Sequence, residues 1–200
     1  MQRHLTINIL NRQIRYLTAS DTFIWSTVLA NNFLIALYVE EKLGVEAIKV
    51  IAIGAMITFF VRSICQTPVA KYLDKDRRMS DEIYAIMTGG LLIVAAYLLF
   101  PYLSEAWHYY VLQLMIGLGI AINLPAWRKT FAASLDEGKE AVEYAVYDSL
   151  LTAFTAVFIA VIGLIVYQTL NFNYLFYVSA AMAVFGSLVV LPLRRFRKMS

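Results

Sequence analysis

Charged residues are scarce in this chain of 200 residues. They make up 16% of the sequence, whereas an ordinary soluble domain carries about 25%. Apolar residues make up 60%, and a chain this short cannot hide that much apolar surface from water by folding alone. The composition therefore argues against a water-soluble domain and predicts an integral membrane protein with lipid as its solvent.

Signatures of catalysis and metal binding are also missing. The single cysteine, Cys65, lies in an apolar run, so no disulfide framework or cysteine-rich metal site is expected. The two histidines, His4 and His108, are far apart, and no zinc-protease, nucleophile-turn or nucleotide-binding motif is present. We therefore expect no enzyme activity, cofactor or metal, with an integral-membrane enzyme as the less favoured alternative. The first twenty residues also lack the apolar region of a cleaved signal peptide.

Six apolar segments are long enough to cross a bilayer as helices, since about 20 apolar residues span the hydrocarbon. The polar breaks between them are short and leave no room for a soluble domain. The sequence therefore predicts an all-α integral membrane protein with six transmembrane helices, which form a single bundle over residues 1–200. The segments lie at residues 16–39, 48–70, 83–102, 109–127, 144–167 and 174–193.

The distribution of lysine and arginine predicts the orientation, because basic residues resist translocation across the membrane. Fourteen of the seventeen lie near the two termini or in the breaks at 71–82 and 128–143, which all fall on one side. Only Lys42 and Lys49 lie on the other side. Both termini are therefore expected on the cytoplasmic side of a plasma (inner) membrane. This topology and contact with membrane lipids explain the net charge of +3, so no nucleic-acid partner is expected.

The break after the second segment carries a motif. It reads Pro-Val-Ala-Lys-Tyr-Leu-Asp-Lys-Asp-Arg-Arg over residues 68–78. In the major facilitator superfamily, the loop between helices 2 and 3 carries Gly-x-x-x-Asp-(Arg/Lys)-x-Gly-Arg-Arg, and this segment resembles it. Ala70 stands in place of the first glycine, and the second glycine is absent. The resemblance makes the matching residues a candidate conformational-switch loop: Asp74, Lys75, Arg77 and Arg78.

Two further stretches extend the resemblance to the whole chain, Gly-Leu-Gly at 117–119 with Pro-Ala-Trp at 125–127, and the charged run at 136–140. The chain is similar to the N-terminal half of a superfamily transporter, whose two six-helix halves usually hold the substrate between them. The resemblance implies a secondary transporter of a small molecule or ion by alternating access, with proton coupling as an option. A half-length chain needs a partner half, and an identical copy related by two-fold symmetry is the simplest one. The alternative is a non-transporting membrane subunit or assembly partner.

Three charged side chains, Asp21, Arg62 and Asp148, fall clearly within the apolar segments. A charge at mid-bilayer costs about 2.5 to 3.5 kcal/mol on insertion scales, so such groups usually face protein or water. Arg62 is expected to have a partner at a cavity or an interface. For Asp148, a structural salt bridge and a proton-coupling site are both open. Asp21 is expected to cap the first helix or to lie at its interfacial end, with substrate or ion coupling as the alternative.

Two helical faces supply the remaining candidate residues. In the first helix Trp25 and Asn32 lie on one face, and in the fourth helix Gln113 shares a face with Tyr109 and Trp127. The resemblance places these two helices beside the central cavity, which makes Trp25, Asn32 and Gln113 candidate substrate contacts. The other two, Tyr109 and Trp127, lie near helix ends and are expected in the aromatic belt at the membrane surface.

The fifth helix carries a stripe of small residues that would let another helix approach closely. Packing inside the bundle and packing across a dimer are both open. If two copies pair with two-fold symmetry, the family arrangement sets helix 2 of one copy against helix 5 of the other, and Arg62 then faces Asp148. The stripe consists of Ala145, Ser149, Thr152, Ala156, Ala160 and Gly163.

Overall fold

A computed structural model describes residues 10–75 and 79–195 of the chain. The α-helices of this part are α1 (Arg12–Leu43), α2 (Ala47–Lys75), α3 (Met79–Leu99), α4 (Ala106–Ser134), α5 (Glu140–Thr169) and α6 (Asn173–Val189). Short 3-10 turns follow α1, α3 and α6 at Gly44–Glu46, Phe100–Tyr102 and Leu191–Arg195. The described residues contain no strand, so the predicted all-α class is confirmed.

Each predicted apolar segment lies within one of these helices or runs into the short turn that follows it. Five helical stretches of the described residues are long and apolar enough to cross a membrane, and the first, 12–75, contains both α1 and α2. The break between α1 and α2 falls at Gly44, whose φ of 60° suits glycine. The number of membrane crossings depends on this turn, so the count of six stays a prediction.

The first helix begins before the apolar segment that predicted it. Asn11 caps α1, because its side-chain oxygen accepts a hydrogen bond from the Ile14 N–H at 2.9 Å. The Asn11 amide also donates to Ser134 O at 2.7 Å, which ties the start of α1 to the end of α4. Asp21 therefore lies well inside α1, and the predicted cap at Asp21 is wrong.

The helices pack in two groups of three. In the first group α4 packs against both α2 and α3, and in the second α1 packs against both α5 and α6. A contact between α3 and α6 joins the groups, and α1 and α4 touch over a smaller area. The candidate site lies where α1 and α4 meet, with α2 on one side and α5 on the other.

Glycine lets α4 approach its two neighbours closely. A Cβ atom at Gly117 would come within 2.9 Å of the Thr58 backbone oxygen on α2. A Cβ atom at Gly89 of α3 would come within 2.5 Å of the Gly119 backbone oxygen. Larger side chains at these positions would push the helices apart, so the sequence specifies backbone-to-backbone contact here.

Hydroxyl groups join α1 to its neighbours, in addition to a close approach of α6 at Gly186, where a Cβ atom would lie 2.8 Å from Ser20 O. Ser20 Oγ donates to the backbone oxygen of Gly186 on α6 at 2.7 Å. The hydroxyls of Ser26 and of Thr155 on α5 are 2.8 Å apart, and both residues are buried. In an apolar medium such hydrogen bonds satisfy the hydroxyls and fix the helix register.

The helices α2 and α5 leave large apolar side chains uncovered by the rest of the chain. Met56, Phe59 and Phe60 are exposed on α2, and Val157 and Leu164 are exposed on α5. Contiguous apolar surface of this kind needs lipid or another helix against it. Together with the long apolar helices, these faces identify a membrane protein.

Candidate functional site

Asp21 is buried at the contact between α1 and α5. The residue is 1% exposed, and its Oδ2 accepts a hydrogen bond from Tyr147 Oη at 2.5 Å. The other oxygen, Oδ1, has no hydrogen-bond partner among the described residues. Trp25, one turn further along α1, lies near the carboxylate. The Asp21 carboxylate therefore keeps one acceptor oxygen for a proton, a water or a substrate donor.

Arg128 brings a positive charge to the same region. It lies on α4, within electrostatic range of Asp21, of Tyr147 and of Arg62 on α2. Arg128 was not predicted as a site residue because the fourth apolar segment ends one residue before it, whereas α4 continues to residue 134. The sequence did indicate that the fourth helix continues, since no glycine or proline interrupts residues 128–137.

Arg62 and Asp148 lie on the two flanking helices. Arg62 is half-buried on α2, and its Nε donates to Gln66 Oε1 at 3.4 Å. Asp148 is exposed on α5. Neither forms a salt bridge with another residue in the part of the chain that the structure describes. A structural salt bridge of Asp148 within this part is therefore excluded, and its pairing with Arg62 across a dimer stays a prediction.

Asn32 and Gln113 are brought together, as their predicted role in one cavity requires. They line a space of about 10 Å³, which Tyr97 and Phe100 also line. Gln113 in addition accepts a hydrogen bond from Thr58 Oγ1 at 2.7 Å, which links α4 to α2. A space of this size holds one water at most. A larger solute could not enter this space, although Asn32 is exposed and Gln113 is half-buried at its edge.

The predicted belt position of Tyr109 and Trp127 is wrong. Both residues are buried, Tyr109 at 2% and Trp127 at 4% exposure. Trp127 Nε1 donates to Leu17 O of α1 at 3.0 Å, and its ring lies 4.8 Å from the ring of Tyr147 on α5. The prediction failed because α1 and α5 cover Trp127, and because Gly54 of α2 and Phe100 pack against Tyr109. Trp127 thus supports Tyr147, which in turn bonds to Asp21.

Asp74 of the predicted switch loop has a partner on α4. Lys129 Nζ lies 3.1 Å from Asp74 Oδ1 and 3.1 Å from Glu82 Oε1 on α3. Lys129 also donates to Leu73 O at 2.5 Å. These contacts join the adjacent ends of α2, α3 and α4. The sequence indicated Asp74 but gave no sign of Lys129 and Glu82, which come into contact with it only through the fold.

Of the other residues of the switch loop, Lys75 alone lies in the part of the chain that the structure describes. Lys75 is exposed and is the last residue of α2. Arg77 and Arg78 lie outside the described residues. The role of the loop in a conformational change therefore stays a prediction.

The stripe of small residues on α5 faces away from the other helices. Its first five residues, from Ala145 to Ala160, are exposed, and a Cβ atom at Gly163 would meet nothing within 4 Å. Packing of this stripe inside the bundle, one of the two alternatives, is therefore wrong. The other alternative, packing across a dimer, stays open.

In residues 10–75 and 79–195, no group of three or more histidine, cysteine, aspartate or glutamate residues is placed to hold a metal ion. Comparison with protein-family models gives one result that covers most of the chain: the model described as Major Facilitator Superfamily matches residues 12–199. No curated protein and no solved structure matches the chain. The family match spans all the helices described above.

Proposed function

Because the chain belongs to the major facilitator superfamily, a family of membrane transporters, we propose that it is a secondary transporter of a small solute that works by alternating access. Its helices form a single bundle over residues 1–200 that crosses the membrane six times, with the turn at Gly44 between the first two crossings. The bundle is one half of the transport unit, and an identical copy related by two-fold symmetry supplies the other half.

The position of the basic residues supports a definite orientation for this unit. The ends of α2 and α4 that carry Lys129 and its partners lie on the same side as the start of α1, through the bond between Asn11 and Ser134. This is the side with most of the lysine and arginine residues, so it is the cytoplasmic side of a plasma (inner) membrane, and both termini are cytoplasmic.

The uncovered faces of α2 and α5 carry the proposal of a dimer. Both helices expose large apolar side chains, and the small-residue stripe of α5 has no neighbour among the described residues of its own chain. In a two-fold dimer, α2 of one copy meets α5 of the other twice, which covers both faces. Arg62 then lies opposite Asp148, and each of the two charges gains a partner inside the membrane, where an unpaired charge is costly.

The charges at the centre favour an anionic solute. Arg62 and Arg128 keep their positive charge at any physiological pH, and they lie within electrostatic range of each other. In a state of the cycle in which Arg62 is released from Asp148, an anion between the two guanidinium groups would relieve their repulsion. We expect this subsite to bind a small carboxylate or phosphate compound, with Trp25, Asn32 and Gln113 as further contacts once the helices separate.

Proton coupling, if present, requires a group that can release a proton, which an arginine cannot do. Asp21 is the better placed of the two carboxylates, because it is buried beside Arg128 and retains one oxygen without a partner among the described residues. Asp148, exposed on α5, is the second candidate. Replacement of Asp21 by Asn should leave binding of the anion intact and abolish its accumulation against a gradient.

The switch loop is proposed to stabilise the state that is closed on the cytoplasmic side. By resemblance to the family, Asp74 lies near the N-terminus of α5 of the partner, where a negative charge stabilises the helix dipole by about 0.3 to 1 kcal/mol. Lys75, Arg77 and Arg78 belong to the same loop. Asp74→Asn should shift the equilibrium toward the inward-open state. Unchanged cytoplasmic accessibility of a cysteine placed near the start of α5 would contradict this role.

The central experiment measures oligomeric state and uptake on the same preparation. The chain is purified and reconstituted in nanodiscs for mass determination and in liposomes for uptake of a panel of labelled carboxylates and phosphate esters. We expect a dimer and saturable uptake that Arg62→Gln and Arg128→Gln reduce. A strict monomer would contradict the two-copy mechanism. A stable dimer without uptake would favour the alternative of a non-transporting subunit, which the two missing signature glycines also favour.

A further inference from the structure

A proline lies inside each of the helices α2 and α4. Pro68 lies in α2 and Pro125 in α4, and both helices continue beyond them. Proline has no N–H to donate, and its ring crowds the carbonyl of the preceding turn, so a helix bends most easily at this residue. Each of the two helices therefore has a weak point at its proline.

The two prolines lie at nearly the same depth. Gly117 of α4 lies beside Thr58 of α2, and further along Lys129 of α4 donates to Leu73 O of α2. The contacts follow in the same order along both helices, so the helices run parallel. The proline of α2 lies ten residues after Thr58, and that of α4 lies eight residues after Gly117. At about 1.5 Å per residue, their depths differ by only about 3 Å.

The two helices are tied together on both sides of this level. Before the prolines, Thr58 Oγ1 donates to Gln113 Oε1 at 2.7 Å. Beyond them, Lys129 Nζ lies 3.1 Å from Asp74 Oδ1 and donates to Leu73 O. The C-terminal segments of the two helices, residues 68–75 and 125–134, are therefore expected to bend together.

Neighbouring helices contact the C-terminal segment of α4 as well. Glu82, near the start of α3, lies 3.1 Å from the same lysine, so the first turns of α3 follow this segment. On the other side Trp127 Nε1 donates to Leu17 O of α1 at 3.0 Å, and Asn11 donates to Ser134 O at 2.7 Å. Bending away from α1 would break these two hydrogen bonds, which hold the segment in the conformation described here.

The arginines of the proposed anion subsite lie on opposite sides of this level. Arg62 precedes Pro68 by six residues, whereas Arg128 follows Pro125 by three. The two arginines lie within electrostatic range of each other. A bend at the prolines would therefore move Arg128 and leave Arg62 in place.

We propose that Pro68 and Pro125 act as one hinge, about which the C-terminal segments of α2 and α4 bend together and set the distance between Arg62 and Arg128. The last step rests on the proposed function, in which an anion binds between the two arginines. Such an anion favours the bend that brings the arginines to the distance it requires. The hinge itself requires neither transport nor a second copy.

The test measures distances between two spin labels on one chain by pulsed electron paramagnetic resonance. Cys65 is replaced by alanine, and labelled chains are diluted with unlabelled ones so that distances within one copy dominate. The first pair, Ala133→Cys with Leu188→Cys, joins exposed positions near the ends of α4 and α6. Ala133 lies eight residues, or about 12 Å, beyond Pro125, so a bend of about 25° moves it by about 5 Å. We expect two distances, or one broad distribution, that differ by this amount.

A matched control pair joins the same two helices before the hinge. Leu114→Cys with Tyr177→Cys uses exposed positions toward the other ends of α4 and α6. It should give one narrow distance, because no bend at the prolines separates these positions.

Proline variants test whether the two weak points act as one. Pro68→Ala changes only α2, but the tie through Lys129 should make it narrow the distances from α4 to α6 about as much as Pro125→Ala does. In a Lys129→Gln background Pro68→Ala should lose this effect, whereas Pro125→Ala should keep it. Pro101→Ala, in the turn after α3, is the matched control and should change nothing. Thermal stability should be equal or higher in the Pro68 and Pro125 variants, since alanine restores a helical hydrogen bond.

Added inorganic phosphate tests the link to the arginines. Phosphate should shift the Ala133–Leu188 distribution toward one distance, and Arg62→Gln should abolish this shift. A distribution that phosphate leaves unchanged would overturn the link. One narrow distance for this pair, no effect of Pro68→Ala, or an effect of Pro101→Ala as large as that of Pro68→Ala would overturn the hinge. These distances are measured without transport, so a chain that bends but shows no uptake would contradict the proposed function and support the hinge.

Discussion

The contact between α1 and α5 is held together by different chemistry from the contacts of α4 with α2 and α3. In the group around α4, glycines at Gly117 and Gly119 bring helix backbones into direct contact. Between α1 and α5, the hydroxyls of Ser26 and Thr155 and the carboxylate of Asp21 make hydrogen bonds instead, whereas α1 and α6 also approach closely at Gly186. A close contact between two helix backbones is fixed by the glycine at that position. A hydrogen bond between side chains can break and form again with another partner. We therefore expect α2 to move together with α4 as a unit and α5 to shift against α1 in the proposed transport cycle.

The largest expected effect concerns the proposed contact between α2 of one copy and α5 of the other. Arg62→Leu alone or Asp148→Leu alone leaves one buried charge without its partner in the dimer, which should cost about 3 to 5 kcal/mol of dimer stability. The double variant removes both charges and should recover assembly. The fraction of dimer in nanodiscs as a function of dilution measures this. Normal assembly by both single variants would show that the two charges do not pair.

The next effect tests the backbone contact of the α4 group. Gly117→Leu places a side chain where a Cβ atom already lies within 2.9 Å of Thr58 O, and it should lower the stability of the chain by about 3 kcal/mol. Gly163→Leu on α5, where nothing lies within 4 Å, is the matched control. It should leave the thermal stability of the monomer unchanged while weakening the dimer. Equal loss of monomer stability in the two variants would remove the distinction between the groups.

A smaller effect is expected at the polar contact between α1 and α5. Tyr147→Phe removes the donor to Asp21 and should cost about 1.5 to 3 kcal/mol, the range for a hydrogen bond to a charged group. In an Asp21→Leu background, which has no carboxylate to satisfy, the same change should cost much less. The thermal stability of the wild type, the two single variants and the double variant is measured in the same detergent. An additive result would mean that the hydrogen bond contributes nothing to stability.

The smallest effect concerns the hydroxyl pair of the α1 group. Ser26→Ala or Thr155→Ala should cost about 0.6 kcal/mol, the average for such bonds between membrane helices. Thr58→Ala, which removes a hydroxyl from the α4 group, is the counterpart. Cross-linking between α1 and α5 should rise in rate in the first two variants, and cross-linking between α2 and α4 should stay unchanged in the third. A change in all three would argue against a mobile α5.

The helices could be predicted from the sequence because a bilayer imposes one length and one composition on every crossing. Their ends could not, since hydropathy records where the chain leaves the hydrocarbon and not where the helix ends. α4 continues past Trp127 through Arg128 and Lys129, so two site residues were assigned to a loop. The start of α1 could not be predicted from hydropathy, because its cap is Asn11, a polar residue outside the apolar segment.

Three charged residues of the candidate site were predicted because they are unusual for their surroundings. Asp21, Arg62 and Asp148 could be recognised because charges are rare in apolar segments. Tyr147 could not, because it is an ordinary residue in a membrane helix and its partner Asp21 lies 126 positions away. The belt prediction for Trp127 failed for a related reason, since which side of α4 faces lipid depends on the positions of α1 and α5.

The buried indole of Trp127 can serve as an intrinsic fluorescent probe. The indole sits in an apolar environment, with its N–H bonded to Leu17 and its ring beside the phenol that bonds to Asp21. Of the two remaining tryptophans, Trp107 is exposed at the start of α4 and Trp25 lies near the same carboxylate. With Trp25 and Trp107 replaced by phenylalanine, blue-shifted fluorescence from a single emitter would follow events at Asp21 in real time, without any attached dye.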